Sequence, residues 1–90
     1  MAIVEWTDQA LEEVDLIVSY IEQFNPAAAE RIANRLFALG DSLSDFPHRG
    51  RPAEDGLREL TTVAPYILRY ETDGNIVSIL AVRHGARLPD

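Results

Sequence analysis

The sequence predicts an α+β fold in the order β-α-α-β-β-β, and three observations carry that prediction. Apolar residues recur at three- and four-residue steps through two adjacent stretches, the mark of paired amphipathic helices. After residue 57 the apolar residues fall instead in short strand-like segments around Asp73-Gly74, a hairpin signal. A short segment, Ile3-Val4-Glu5-Trp6, precedes both. The arrangement expected is an antiparallel sheet of the last three strands plus the N-terminal strand, packed against a helical hairpin.

Each element has a local reason. Ile3 to Trp6 reads as a strand, with Thr7 and Asp8 as candidate helix caps. Ala10, Val14, Ile17, Ile21 and Phe24 then mark one helical stripe, widened by Leu11 and Val18, while Glu12, Glu13, Asp15 and Glu22 fall largely off it. This predicts a helix over residues 8–24. Asn25-Pro26 stops that helix and starts the next, because Asn caps free N–H groups and Pro suits the first helical position. Ala29, Ile32, Leu36, Leu39 and Leu43 carry the second stripe to about Ser44. So short a link makes the two helices an antiparallel pair. Gly40 sits inside the second stripe, where it costs about 1 kcal/mol relative to Ala. Phe46 to Pro52 reads as a loop from its Pro and Gly content. Leu57 to Thr61, Tyr66 to Glu71 and Ile76 to Val82 are the remaining strands.

Ninety residues suffice for a single domain, here 1–90, and 47% hydrophobic content makes it globular. A domain of this size buries only about 60–65% of its unfolded surface, so a partner that completes the core also matters energetically. The chain has no cysteine, which excludes disulfides, thiolate metal sites and a cysteine nucleophile. The N-terminal residues have neither the basic flank nor the apolar run of a signal peptide, and no apolar stretch reaches the roughly 20 residues of a membrane span. A soluble cytoplasmic protein is expected, with no membrane partner.

The net charge of −7 lies entirely in the first half. Residues 1–48 hold nine acids against two arginines; residues 49–90 hold six of each. All eight basic side chains are arginine, either through compositional bias or because the planar guanidinium suits carboxylate and phosphate. No phosphate-cradling glycine loop, G-x-S-x-G elbow or metal-ligand spacing occurs, so neither cofactor nor metal is expected. The acids of the first helix read as a solvated face.

A tight turn at Asp73-Gly74 would place Arg69 opposite Ser78, with Arg69, Ser78 and His84 on one face. Arg58 joins them from a neighbouring strand, and Arg83 and Arg87 flank the sheet end. Two readings stay open. The guanidinium groups converge to bind phosphate or an acidic peptide, or they pair with Glu59, Glu71 and the helical acids. His84 has the pKa range of a general base, although a histidine at a strand end is more often structural. Tyr66 and Tyr70 share a face with Leu68 and read as core and rim.

Several segments together resemble the ParE-type toxins of the RelE/ParE superfamily. They are Trp6-Thr7, the helix from Asp15-Leu16-Ile17 to Tyr20-Ile21, Asn25-Pro26-Ala27-Ala28-Ala29, and the F-P-x-x-G-R-like loop within Leu43 to Arg51. Leu57-Arg58-Glu59-Leu60, Pro65 to Tyr70, and Ile79 to Arg87 with its His84-Gly85-Ala86-Arg87 tail complete the set. The resemblance spans residues 3–88. It implies the toxin of a type II toxin–antitoxin module that arrests growth, stabilises plasmids, and is neutralised in a hetero-oligomer by a ParD-like antitoxin. The antitoxin's C-terminal segment wraps the toxin and its other end binds promoter DNA, so the toxin meets DNA only indirectly.

The superfamily also implies two modes of toxicity: characterised ParE toxins poison DNA gyrase, and RelE-like toxins cleave mRNA at the ribosome. Arg87 matches the family's tail arginine. The nuclease pattern otherwise fits poorly. Ile67 stands where RelE-like nucleases have arginine after the tyrosine, lysines are absent, and no tyrosine follows Arg87. An acidic chain is also ill-suited to approach ribosomal RNA. The expectation is a noncatalytic gyrase inhibitor, with Arg58, Arg83 and Arg87 contacting antitoxin or target. In the nuclease alternative Arg58, Arg69, His84 and Arg87 would be catalytic. A third alternative is a degenerate member that only binds antitoxin.

Overall fold

The computed structural model describes residues 1–85. Strand β1 spans Ile3–Trp6, helix α1 Asp8–Glu22 and helix α2 Pro26–Asp41, which continues into a 3-10 turn at Ser42–Ser44. Strands β2 (Arg51–Pro52), β3 (Arg58–Leu60), β4 (Tyr66–Thr72) and β5 (Ile76–His84) follow. They form one five-stranded sheet in the order β1-β5-β4-β3-β2, with the helical hairpin on one face. The predicted α+β class is thus observed. Strand β2, two residues long, lies within what the sequence suggested was loop.

Both helix starts form as their residues dictate. Thr7 caps α1 by accepting from Ala10 N at 3.1 Å, and its hydroxyl also donates to Ile79 O at 2.9 Å. One side chain therefore ends β1, begins α1 and ties both to β5. Asn25 Oδ1 accepts from Ala28 N at 3.0 Å, with Pro26 in the first turn of α2.

The hairpin carries the chain from β1 at one edge to β2 at the other; the remaining strands then return across the sheet, so that β5 ends beside β1 and parallel to it while the other pairings are antiparallel. Val14, Leu36 and Leu43 from the helical side meet Leu68, Tyr70, Val77, Ile79 and Val82 from the sheet, all fully buried. Each such aliphatic side chain contributes about 1.5–3 kcal/mol on leaving water. Gly40 is the close approach in this core. A Cβ there would stand 2.8 Å from Ile79 Cδ1 and closer still to the Trp6 indole, which packs 5.0 Å from the Phe37 ring. The helical glycine makes room for a tryptophan.

The β4–β5 register differs from expectation. Arg69 pairs with Ala81, and Ser78 pairs with Glu71. Two causes combine. The turn is longer than a two-residue type I′ connection: only Gly74 has positive φ, at +94°, and Thr72 pairs with Val77. The Asp73 carboxylate accepts from Asn75 N at 2.8 Å and Ile76 N at 2.9 Å, which fixes this wider turn. A bulge then leaves Leu80 extra between the Tyr70–Ile79 and Arg69–Ala81 pairs. An extra residue inverts the alternation beyond it, so His84 pairs with Tyr66 on the face opposite Arg69. Arg69, Ser78 and His84 therefore do not share a face.

Candidate functional site

The arginines singled out in the sequence are distributed over separate partners. Arg69 places Nε at 2.9 Å and Nη2 at 2.6 Å from Glu59 Oε2, and Arg51 Nη2 lies 3.3 Å from Oε1 of the same carboxylate. Glu59 is buried, so two guanidinium groups satisfy one desolvated charge. Arg83 belongs to a different pair. Its buried Nε lies 3.5 Å from Glu13 Oε2, an ion pair without a hydrogen bond. Glu13 Oε1 meanwhile accepts from Val82 N at 3.0 Å, where β5 has run past the end of β1. The α1 carboxylate thereby closes an open stretch of sheet edge.

Arg58 has no carboxylate partner among the described residues. Its Nη1 donates to Gly50 O at 2.7 Å and to His48 O at 3.2 Å, and so holds the segment before β2. Arg87 lies outside the described residues. His84 contacts Tyr66 edge-on at 5.7 Å between ring centroids. Arg58, Arg69 and Arg83 thus face three different neighbourhoods.

Apolar side chains meet solvent at Ile3 and Ile76 on the paired β1 and β5, and at two grooved surfaces. Leu16 and Tyr20 on α1, and Phe24 in the turn just past its end, are more than half exposed, with the Tyr20 and Phe24 rings 5.4 Å apart. Leu16, Ile17, Tyr20 and Ile21 line one wall of a groove whose other wall is Tyr66 and His84 at the end of the sheet. At the far end of the β4–β5 hairpin, Phe46-Pro47-His48-Arg49 forms the second surface. Phe46 is 63% exposed.

Sequence reasoning placed Tyr70 in the core and missed what its hydroxyl does. The group is buried, accepts from Gly50 N at 2.8 Å and donates to Pro47 O at 2.9 Å. Gly50 fits because a Cβ there would stand 2.8 Å from the Tyr70 ring and 2.9 Å from Glu59 O. Arg49 Nη1 adds a bond to Ser42 Oγ at 2.9 Å. The only early signal was the F-P-x-x-G-R spacing itself. Among the described residues no cluster of three metal-ligating side chains exists, and no helix is long and apolar enough to cross a membrane.

Residues 4–89 match the family described as the ParE toxin of the type II toxin–antitoxin system parDE. The chain belongs to that family. Among relatives of this ParE-family toxin, Toxin RelE2 of Caulobacter vibrioides is 49% identical over 98% of this chain and 100% of its own. Putative toxin Y4kP of Sinorhizobium fredii is 39% identical over 90% and 85%. A chain of the solved chromosomal ParDE TA system from P. aeruginosa superposes with a TM-score of 0.83, covering 93% of this toxin and 96% of that chain. At 24% identity, that last likeness is one of fold. The residues thus make a type II toxin of the ParE/RelE superfamily on its expected scaffold.

Proposed function

We propose that this toxin is a single domain over residues 1–90 that acts in the cytoplasm by inhibiting DNA gyrase without cleaving RNA. The observation that carries this reading is the engagement of the four arginines on strands β2 to β5. Arg51 and Arg69 are spent on Glu59, Arg83 on Glu13, and Arg58 on two backbone carbonyls. A ribonuclease needs cations aimed at one developing phosphate charge, and these are aimed apart. The lack of lysine and the charge of −7 weigh the same way.

A ParD-like antitoxin neutralises the toxin in a hetero-oligomer and brings it to promoter DNA only indirectly. Its amphipathic segment covers Leu16, Tyr20 and Phe24 and enters the groove toward Tyr66 and His84, burying area that α1 leaves exposed. Its acids meet Arg83 at the same end of the sheet, and Arg87, which lies outside the described residues. The description of the P. aeruginosa neighbour as a ParDE system favours this partner.

The name of the Caulobacter relative, Toxin RelE2, favours a second reading, mRNA cleavage at the ribosome through Arg58, Arg69, His84 and Arg87. Expression of the toxin without antitoxin separates the two. The first reading expects growth arrest with gyrase-linked DNA breaks and uncut mRNA. Codon-linked mRNA cuts that Arg87→Ala abolishes would establish the second, and absence of arrest would leave only an antitoxin-binding scaffold.

A further inference from the structure

Asp-Gly occurs twice in the chain, at Asp55-Gly56 and at Asp73-Gly74, and the fold treats the two pairs differently. Such a pair is a site of backbone chemistry. With no side chain on the glycine, its amide nitrogen can reach the aspartyl Cγ and close a five-membered ring. A C–N bond forms, the carboxyl C–O bond breaks, and the hydroxyl leaves as water with the amide proton. Water then reopens the succinimide at either carbonyl. Attack at the former side-chain carbonyl restores aspartate; attack at the backbone carbonyl leaves isoaspartate, in which the chain runs through Cβ and Cγ. Ring closure needs a free turn about the aspartyl Cα–C bond and a carboxyl that is not held as the anion.

At Asp73 both conditions fail. Its Oδ1 accepts from Ile76 N at 2.9 Å and from Asn75 N at 2.8 Å, and these bonds hold the carboxyl below its usual range. Gly74 N, which would have to attack, donates to Thr72 Oγ1 at 3.0 Å. Thr72 in turn pairs with Val77, so the rotation would open the end of the β4–β5 hairpin. At Asp55 the carboxylate has no hydrogen bond or ion pair among the described residues. Glu54, Asp55 and Gly56 are all exposed, and a Cβ built on Gly56 would meet nothing within 4 Å. Asp55 has a φ of +58°, and no other non-glycine residue among those described is positive. L-residues disfavour that left-handed conformation. The native ψ of +32° is not the ring-closing one, so reaction begins with a turn about Cα–C. That turn leaves a disfavoured conformation and works against a short connection closed by Leu57 N on Glu54 O and Ala53 N on Leu57 O.

We infer that Asp55-Gly56 is a site of spontaneous isoaspartate formation in the folded toxin, and that the turn at Asp73-Gly74 protects the second pair. The product lengthens the connection that sets Arg51 opposite Glu59 and Pro52 opposite Arg58. It also leaves a free α-carboxylate in an exposed turn, the group that an isoaspartyl methyltransferase methylates with S-adenosylmethionine. Full-length toxin is held for several weeks at neutral pH and physiological temperature, folded in one sample and unfolded in urea in the other. Peptic peptides spanning positions 55 and 73 are then compared by electron-transfer dissociation, which separates isoaspartate from aspartate. Methyl transfer from labelled S-adenosylmethionine counts the isoaspartyl groups. In the folded sample, isoaspartate at 55 should exceed that at 73 by about tenfold or more, the slowing imposed when a net hydrogen bond must break first. In urea the two positions should convert alike. Asp55→Ala should lose most of the methyl acceptance of folded toxin, and Thr72→Val, which frees Gly74 N, should raise isoaspartate at 73. Folded toxin that forms as much isoaspartate at 73 as at 55 overturns the inference, as does folded toxin that forms none at 55 while the urea sample does. A difference between the two positions that persists in urea overturns protection by the fold.

Discussion

Gly40 of α2 and Trp6 of β1 form a contact in which the absence of a side chain on one accommodates the indole of the other. Replacing Gly40 with Ala would ordinarily stabilise a helix by about 1 kcal/mol. Here the added methyl collides with Trp6 and with Ile79 Cδ1, and neither can withdraw from a packed core. Gly40→Ala is expected to destabilise by about 1–3 kcal/mol, measured as a lower urea midpoint with an unchanged slope.

Tyr70→Phe removes the hydroxyl that accepts from Gly50 N and donates to Pro47 O, leaving a buried amide without its partner. The cost expected is about 1–3 kcal/mol. The effect should be local as well as global: amide exchange at Gly50 should accelerate more than exchange in α1. Equal acceleration at both would assign Tyr70 to the core alone.

Glu59 is buried between Arg51 and Arg69, so Glu59→Gln leaves two cations with a neutral partner. Both arginines reach solvent, which screens part of the loss, and a cost of about 1–2 kcal/mol is expected. Raising the salt concentration should narrow the difference from wild type. If it does not, the carboxylate acts through shape rather than charge.

The Asp73 carboxyl is held below the usual carboxylate range by hydrogen bonds from the backbone amides of Ile76 and then Asn75. A depressed folded pKa means the unfolded chain binds the proton first as pH falls. The contribution of Asp73 is therefore complete above the ordinary carboxylate pKa and is lost as pH drops through the lowered value. Titration followed by NMR should give Asp73 a midpoint below the ordinary aspartate range. Asp73→Asn should flatten the part of the acid limb that this group supplies.

The helical hairpin was legible because its signals are local. The stripe from Val14 to Ile21, the Thr7 and Asn25 caps and Pro26 each act within one or two turns, and α1 and α2 form where they point. Sheet details depended on longer reach. The β4–β5 register turns on Asp73 fixing a wider turn and on the extra residue at Leu80, neither of which alters the apolar pattern of either strand. Glu59 and the helical acids were among the partners the sequence offered the arginines, and Arg69 and Arg83 take them; which arginine meets which acid, and that Arg58 instead holds backbone carbonyls, was not readable. Each is set by register and by residues far away in the chain, as with Glu13 reaching Val82 across the whole hairpin. The role of the Tyr70 hydroxyl was hidden too, since sequence marks a buried ring and says nothing of where its oxygen points.

Inhibition of gyrase without RNA cleavage is tested by adding purified toxin to DNA gyrase on relaxed plasmid with ATP. Supercoiling should fall and gyrase-linked double-strand breaks should accumulate, and the antitoxin should reverse both. Undiminished supercoiling, with the same toxin preparation cutting mRNA on translating ribosomes, would contradict it.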